Sequence, residues 1–233
     1  MTTQEPDIRE QPAYGVVEAA HYLRIPVTTL RSWIVGTTYG TGNERRFFKP
    51  VIQPAEKSPA ILSFLNLIEV HVLDAIRRQH RVDMPKVRRS IEFLKTKLGS
   101  PHPLADHKFE TDGIDLFISH CGQFISVSQG GQLAVKELLQ AHLRRIEWDD
   151  LGVPIRLYPF TRKRALDEPR HIVIDPFISF GRPVIAGTGI VTELVAERFK
   201  AGELSDELAT DYGCDREKIE EAIRCELNLA EAA

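Results

Sequence analysis

The sequence predicts a mainly α protein with small β elements, an α+β fold. Two kinds of observation carry that reading. Several stretches place apolar residues three and four apart, such as Leu62, Leu65, Ile68, Val72 and Ile76, which is the spacing of one helix face. Between them lie short extended runs bounded by Gly and Pro.

Residues 1–12 are polar and are predicted to be disordered. Val16 to Leu23 reads as a short helix with Val16, Ala19, Ala20 and Leu23 on one face, and Arg24-Ile25-Pro26 breaks it. Thr28 offers an N-cap for a second short helix, Thr29 to Val35. Gly36, Gly40 and Gly42 mark a loop, and Arg45 to Ile52 reads as extended. A long amphipathic helix is predicted over Ser58 to Gln79, and another over Met84 to Leu98 with Pro85 in its first turn. Ile114, Leu116, Ile118, Phe124, Ile125 and Val127 suggest two or three short strands around a turn at Cys121-Gly122. Gln132 to Glu147 reads as helix and Val153 to Pro159 as strand; Thr161 to Arg170, charged and polar, reads as a linker. Beyond it, Ile172 to Ile174 and Pro183 to Ile185 read as extended. Helices follow over Thr192 to Lys200, Ser205 to Tyr212, and Glu217 to Leu229 capped by Asp215. Three regions result: residues 1–100, a winged helix-turn-helix with a helical extension; 101–165, a mixed α/β middle region; and 171–233, a C-terminal domain.

A chain of 233 residues with 42% hydrophobic residues can bury a sizeable core. No apolar run approaches the roughly 18 residues a membrane helix needs, and the polar, acidic first eleven residues resemble neither a secretory signal nor a transit peptide. Cys121, Cys214 and Cys225 form no CxxC and no even framework, so they read as reduced structural thiols of a cytoplasmic protein. The net charge of −3 hides an asymmetry. Residues 1–170 hold 24 basic and 20 acidic residues, whereas residues 171–233 hold 6 basic and 13 acidic. Ile76 to Lys97 alone carries eight basic residues against Asp83 and Glu92. A basic front and an acidic back point to a polyanion at one end and a different partner at the other.

Two short helices joined by a brief turn make a helix-turn-helix when the second turns polar side chains outward. Here the second helix offers Thr28, Thr29, Arg31 and Ser32 on one side, with Leu30, Trp33 and Ile34 on the other. The following loop ends in Arg45-Arg46-Phe47-Phe48-Lys49, which sets Arg45, Arg46 and Lys49 on a wing beside that helix. Hydroxyls can reach phosphates or bases, and Arg31 can fork onto guanine or a phosphate. Phosphate neutralisation would supply affinity, and the second helix sequence choice. Thr29, Leu30, Arg31 and Trp33 match the Thr-Leu-Arg-x-Trp/Tyr pattern of MerR-type winged helix-turn-helix proteins, which this stretch resembles.

The segment from Ile174-Asp175-Pro176 through Gly181-Arg182-Pro183-Val184-Ile185 to Gly187-Thr188-Gly189-Ile190 resembles the domain-of-unknown-function family numbered 433, whose members are treated as VapB-type antitoxins. Gly202, Leu204-Ser205, Leu208, Tyr212 and Ile219 to Ile223 stand where that family continues into a small helix-turn-helix-like unit. Gly189 departs from it, standing where Arg is common. Gly181, Gly187 and Gly189 read as turn residues with positive φ. They are no phosphate cradle, because neither GxGxxG nor a following Lys-Ser/Thr is present. The carboxylates Glu203, Asp206, Glu207, Asp211, Glu217, Glu220, Glu221 and Glu226 would repel DNA and suit a basic protein surface.

His102 and His107, His120-Cys121, Cys214 and Cys225 have no paired metal-ligand spacing. Asp112/Asp115 and Asp149-Asp150 sit beside Gly in loop-like sequence, and no Gly-x-Ser-x-Gly occurs. The sequence therefore predicts no enzyme, no catalytic or metal-binding residue and no cofactor. What the two resemblances imply is an antitoxin of a type II toxin–antitoxin pair. Such a protein neutralises a PIN-type or PIN-like ribonuclease and binds operator DNA as a homodimer to regulate its own transcription, with no membrane partner. The rival expectation is a MerR-like regulator that senses a small ligand or metal through the Phe109 to Tyr158 region.

Overall fold

The fold was taken from a computed structural model, which describes residues 7–39, 46–78, 84–122, 129–162 and 168–227. Its centre is a helix, α3 (Phe64–Arg78), in which every residue from Phe64 to Ile76 is buried. A helix hydrophobic on one stripe can hide one face only; α3 hides all of them because its polar residues find partners inside. Ser63 and Asn66 form a reciprocal cap at its start. The Asn66 N–H donates to Ser63 Oγ (3.1 Å), and Asn66 Oδ1 accepts the Ser63 N–H (3.2 Å). The same amide accepts from Ala55 N (3.0 Å) and donates to Gln53 O (3.0 Å) and Glu69 Oε2 (3.2 Å). Glu69 also holds His102 Nδ1 at 3.0 Å, and His71 Nε2 lies 3.1 Å from the His142 carbonyl.

Around α3 the chain wraps in sequence order. Strand β1 (Tyr14–Gly15) leads into α1 (Val16–Leu23), where the Glu18 carboxylate accepts the Gly15 N–H at 3.1 Å and fixes the helix start. Next come α2 (Val27–Ile34) and a two-stranded antiparallel hairpin of β2 (Thr37–Tyr39) and β3 (Arg46–Phe48). Strands β4 (Glu56–Lys57) and β5 (Ala60–Leu62) complete a three-stranded antiparallel sheet in the order β1-β5-β4. After α3 come α4 (Met84–Leu98), a 3-10 turn at Pro103–Ala105, a π turn at Phe109–Gly113, α5 (Ile114–Gly122) and α6 (Gln129–Leu143). The hairpin β6 (Ile146–Trp148) and β7 (Pro154–Leu157) follows. Leu157 and Ile174 exchange backbone hydrogen bonds of 2.9 and 2.8 Å, linking β7 to the C-terminal unit. That unit consists of β8 (Ile172–Val173), β9 (Val184–Ile185), α7 (Thr192–Lys200), α8 (Ser205–Tyr212) and α9 (Arg216–Leu227). It has a separate small core of Ile172, Ile185, Val195, Leu208, Ile219 and Ile223, with Ala222 and Cys225.

Several expectations need correction. Residues 7–12 are pinned rather than disordered: Arg9 reaches Asp149 at 2.7 Å, and its carbonyl accepts Leu65 N at 3.0 Å. The long helix starts at Phe64, six residues later than predicted, because Glu56–Leu62 forms the β4–β5 hairpin. Ile114 to Ile118 is helical, not extended: Ile114 and Phe117 face the core three apart, a pattern that an apolar alternation of this length does not separate from a strand. The strand candidates Phe124, Ile125 and Val127 lie outside the described residues. Nor are the described ends of the predicted linker loose. Thr161 and Glu168 are buried, and the Glu168 carboxylate accepts the N–H groups of Thr161 and Arg162, both at 3.0 Å.

Beside this stretch the Arg145 guanidinium is 3% exposed and donates to four carbonyls: Tyr158 (2.8 Å), Glu168 (2.6 Å), Pro159 (3.0 Å) and Pro169 (3.2 Å). Burial draws its pKa down to about 10, so it still carries its charge at neutral pH. It clips the chain leaving β7 to the chain entering β8.

Two stability predictions follow from the core. Asn66→Ala strands the Ala55 and Ser63 N–H groups and the Gln53 carbonyl. It should cost about 2–4 kcal/mol in urea denaturation, each orphaned buried group contributing roughly 1–3 kcal/mol before relaxation. Burial, with His142 and Arg145 adding like charge, holds His71 well below the usual imidazole value. The folded chain therefore keeps His71 neutral, whereas the unfolded chain takes up a proton near pH 6.5. Its contribution to stability falls as pH drops below about 6.5. The difference in denaturation midpoint between wild type and His71→Leu should accordingly narrow from pH 7 to pH 5.

Candidate nucleic-acid interface

The pair α1 and α2 is held by Ala19, Ala20, Leu23, Ile25, Leu30, Trp33 and Ile34, all buried. Burying Leu30 and Ile34 alone is worth roughly 1.5–3 kcal/mol each, which fixes the rotation of α2 and hence which side chains it shows. Between the helices Arg24 adopts the left-handed conformation (φ 53°), and the N–H groups of Arg24 and Ile25 bond back to His21 O (3.0 Å) and Ala20 O (2.9 Å). Helix α2 begins at Val27 after Pro26, so Thr28 is not the N-cap but lies inside the first turn. At the other end the Trp33 carbonyl accepts Val51 N at 2.7 Å, which joins α2 to the chain leaving the wing.

On this frame Thr28 and Arg31 are exposed, and neither has a partner among the described residues. Thr29 and Ser32 are half-buried, and the Ser32 hydroxyl donates to the Thr29 carbonyl at 2.7 Å, within its own helix. The wing hairpin pairs Thr37 with Phe48 and Thr38 with Phe47. At its root Gly36 has φ +87°, and a Cβ there would lie 2.4 Å from the Phe48 carbonyl, so only glycine fits. Lys49 is exposed, as is Phe47 at 61%. Arg45, and the side chain of Arg46, lie outside the described residues. From α4 the Arg88 guanidinium sits over the Phe48 ring, 5.6 Å from its centroid. Reading the sequence placed Arg88 in a basic run without a role, because a contact between residues forty apart leaves no mark on local spacing.

The C-terminal unit corrects the picture of a free acidic surface. Glu221 is fully buried, accepting from the Thr161 hydroxyl, from Arg162 Nε (3.1 Å) and Nη2 (2.9 Å), and from Arg224. Burial works against its charge, but these donors prevail and hold it below the usual carboxylate range. Glu226 takes His21 Nε2 at 2.9 Å and the Thr192 hydroxyl, and Glu207 accepts the Leu204 N–H at 2.9 Å as a helix cap. Arg198 engages Glu203 and Asp211; Arg216 engages Asp206 and Glu220. Most of these carboxylates are thus already paired. Beside these paired charges the unit also leaves large apolar side chains in water. Phe180 is 93% exposed and Phe177 65%, with Phe180 in a run of positive φ: Ser179 (49°), Phe180 (58°), Gly181 (76°). Gly181 is required there, since a Cβ would fall 2.2 Å from the Tyr14 hydroxyl. Gly187 also has positive φ but Gly189 does not, so the turn imposes no glycine at 189.

Contacts tie this unit to the helix-turn-helix. Besides His21–Glu226, Arg24 Nη2 donates to the Arg224 carbonyl of α9 at 2.7 Å. Sequence reasoning took Arg24 only as part of a helix break. Among the described residues no three His, Cys, Asp or Glu side chains gather as a metal site, and no helix is long and apolar enough to cross a membrane.

These features define a helix-turn-helix protein with a second module behind it. Residues 12–91 match the family described as "Putative DNA-binding HTH domain", and residues 172–224 match "Protein of unknown function (DUF433)". The chain therefore carries an N-terminal helix-turn-helix domain and a C-terminal DUF433 module. It is 29% identical over 239 residues to "Putative antitoxin VapB45" of Mycobacterium tuberculosis, covering 94% of this chain and 96% of that one. It is also 23% identical to "Uncharacterized protein Rv2308" of the same organism, over 92% and 90% of the two chains. The crystal structure of Rv2018 from Mycobacterium tuberculosis shares the fold, with a TM-score of 0.67 at 24% identity, over 91% of this chain and 97% of that one.

Proposed function

We propose that this chain is a DNA-binding antitoxin: it binds operator DNA through α2 and the wing, and neutralises a ribonuclease toxin of PIN or PIN-like type. The observation that carries the DNA half is the distribution of unpaired charge. Arg31 and Lys49 stand exposed on one module with no carboxylate partner among the described residues, whereas the arginines of the C-terminal unit, Arg182, Arg198, Arg216 and Arg224, all have acidic partners. Uncompensated cations beside an outward helix face are what a phosphate backbone needs. Thr28, Thr29 and Arg31 are the residues for base or phosphate contact, with Arg45, Arg46 and Lys49 on the wing. Ser32 bonds its own helix and serves to shape the surface. Binding as a homodimer matches a two-fold operator and allows the protein to regulate its own transcription in the cytoplasm. The likeness to a relative named as an antitoxin supports the toxin half. On that reading the toxin-facing surface is the turn bearing Phe177 and Phe180. A strained backbone that holds an aromatic ring in water is a cost folding alone does not explain, and buried aromatics anchor protein interfaces. The chain does no chemistry of its own.

Arg31→Ala should weaken binding to the DNA upstream of its own reading frame by about 5- to 150-fold, the roughly 1–3 kcal/mol of one well-made contact. Unchanged affinity in fluorescence anisotropy would remove α2 from the interface. Phe180→Asn keeps a residue tolerant of positive φ and removes the ring. It should leave the melting temperature unchanged, yet fail to relieve growth arrest when co-expressed with a PIN-type ribonuclease that the wild-type chain neutralises. Full rescue by this variant would move the toxin surface elsewhere.

A further inference from the structure

We propose that Arg88 of α4 is a backbone-phosphate site at the root of the wing, extending the DNA surface beyond α2 and the hairpin. The inference rests on the DNA reading above and adds a contact to it. Three observations on the same side chain carry it. The guanidinium lies against the wing, 5.6 Å from the centroid of the Phe48 ring, so its charge already sits at the wing before any ligand arrives. Its Nε is buried with no hydrogen-bond acceptor. Finally, no carboxylate lies within salt-bridge distance among the described residues, and the influence lowering its pKa is desolvation, with no charged neighbour among them to offset it.

Elsewhere the chain treats buried or half-buried guanidinium groups differently. Arg145 has four carbonyls, Arg9 has Asp7 and Asp149, and Arg24 has the Arg224 carbonyl. Arg88 alone among these is desolvated and has neither an anion nor an acceptor among the described residues. A half-buried cation of this kind destabilises the free protein slightly, and an anion brought from outside reverses that cost. The anion the module is built to meet is a phosphate of the duplex that α2 and the wing straddle. Arginine suits the position because its planar fork stacks on an aromatic face while its terminal nitrogens remain free to take phosphate oxygens.

The test uses the full chain, a fluorescein-labelled mixed-sequence duplex, and stepped KCl concentrations, with wild type, Arg88→Gln, Arg88→Lys and Arg31→Ala compared. Arg88→Gln should bind about fivefold more weakly near physiological salt. Its plot of log K against log salt should be shallower by about 0.9, the signature of one lost phosphate contact. Its melting temperature without DNA should stay level or rise, since an uncompensated cation has been removed. Arg88→Lys should restore the slope through its charge while recovering only part of the affinity. A wild-type slope for Arg88→Gln overturns the proposal, as does a fall in melting temperature that accounts for weaker binding, which would make Arg88 structural. If Arg31→Ala weakens binding while Arg88→Gln does not, the phosphate site fails and the DNA reading stands. A wild-type chain that binds no duplex overturns both.

Discussion

The constraint on which the structure depends is the burial of α3 on every face from Phe64 to Ile76. A helix with no solvent face must satisfy every polar group it carries from its neighbours, so those neighbours cannot be placed freely. Asn66 dictates where the segment from Gln53 to Ser63 runs, and that segment is the continuation of the wing. Glu69 calls in His102, and with it the turn between α4 and α5; burial opposes the charged imidazole, but the carboxylate prevails and raises its pKa. His71 sets the position of α6 through the His142 carbonyl and stacks on Phe160 at 5.7 Å. Because unpaired buried groups cost more than paired ones gain, these contacts select one arrangement more than they add stability. The helix-turn-helix and the wing are presented from that fixed base.

The second theme is how charge is disposed of. Counting residues suggested a basic front and an acidic back, each awaiting a partner of opposite sign. Pairing changes that conclusion for the back. Glu221 and Glu226 are structural, the first joining α9 to the chain around Thr161, the second joining α9 and α7 to α1. Together with the Arg24 contact to the α9 carbonyl, they dock the DUF433 module directly on the turn of the helix-turn-helix. The two modules thus share an interface at the element that orients the outward helix, with exposed cations unpaired among the described residues at the front and two exposed aromatic rings at the back.

Much of this was legible in the sequence. The α1–turn–α2 pattern, α4, and the three C-terminal helices follow from apolar spacing, with α1 and α7 correct to the residue. The paired extended pieces at Ile172 and Val184 were also visible. The failures have a common cause. In α3 the residues Asn66, Glu69, His71 and Asp74 look like a solvent face, yet all are buried, because burial of polar groups depends on partners distant in sequence. Arg145 at the end of α6 reads as a cation favouring a helix C-terminus, whereas its carbonyl partners lie up to 24 residues away. The carboxylates of α9 look free for the same reason. At the candidate interface, exposure of Thr28 and Arg31 follows from the apolar stripe of α2, but the capture of the Ser32 hydroxyl by its own helix and the Arg88–Phe48 stack do not.

On the proposed function, the duplex meets the α2 and wing surface and leaves the DUF433 module untouched. Backbone amide shift mapping of the full chain on adding DNA tests this most directly. The prediction is that shifts and line broadening concentrate in Val27–Ile34 and Phe47–Lys49, with α7 to α9 unperturbed. Shifts centred on α7 to α9, with α2 silent, would contradict it.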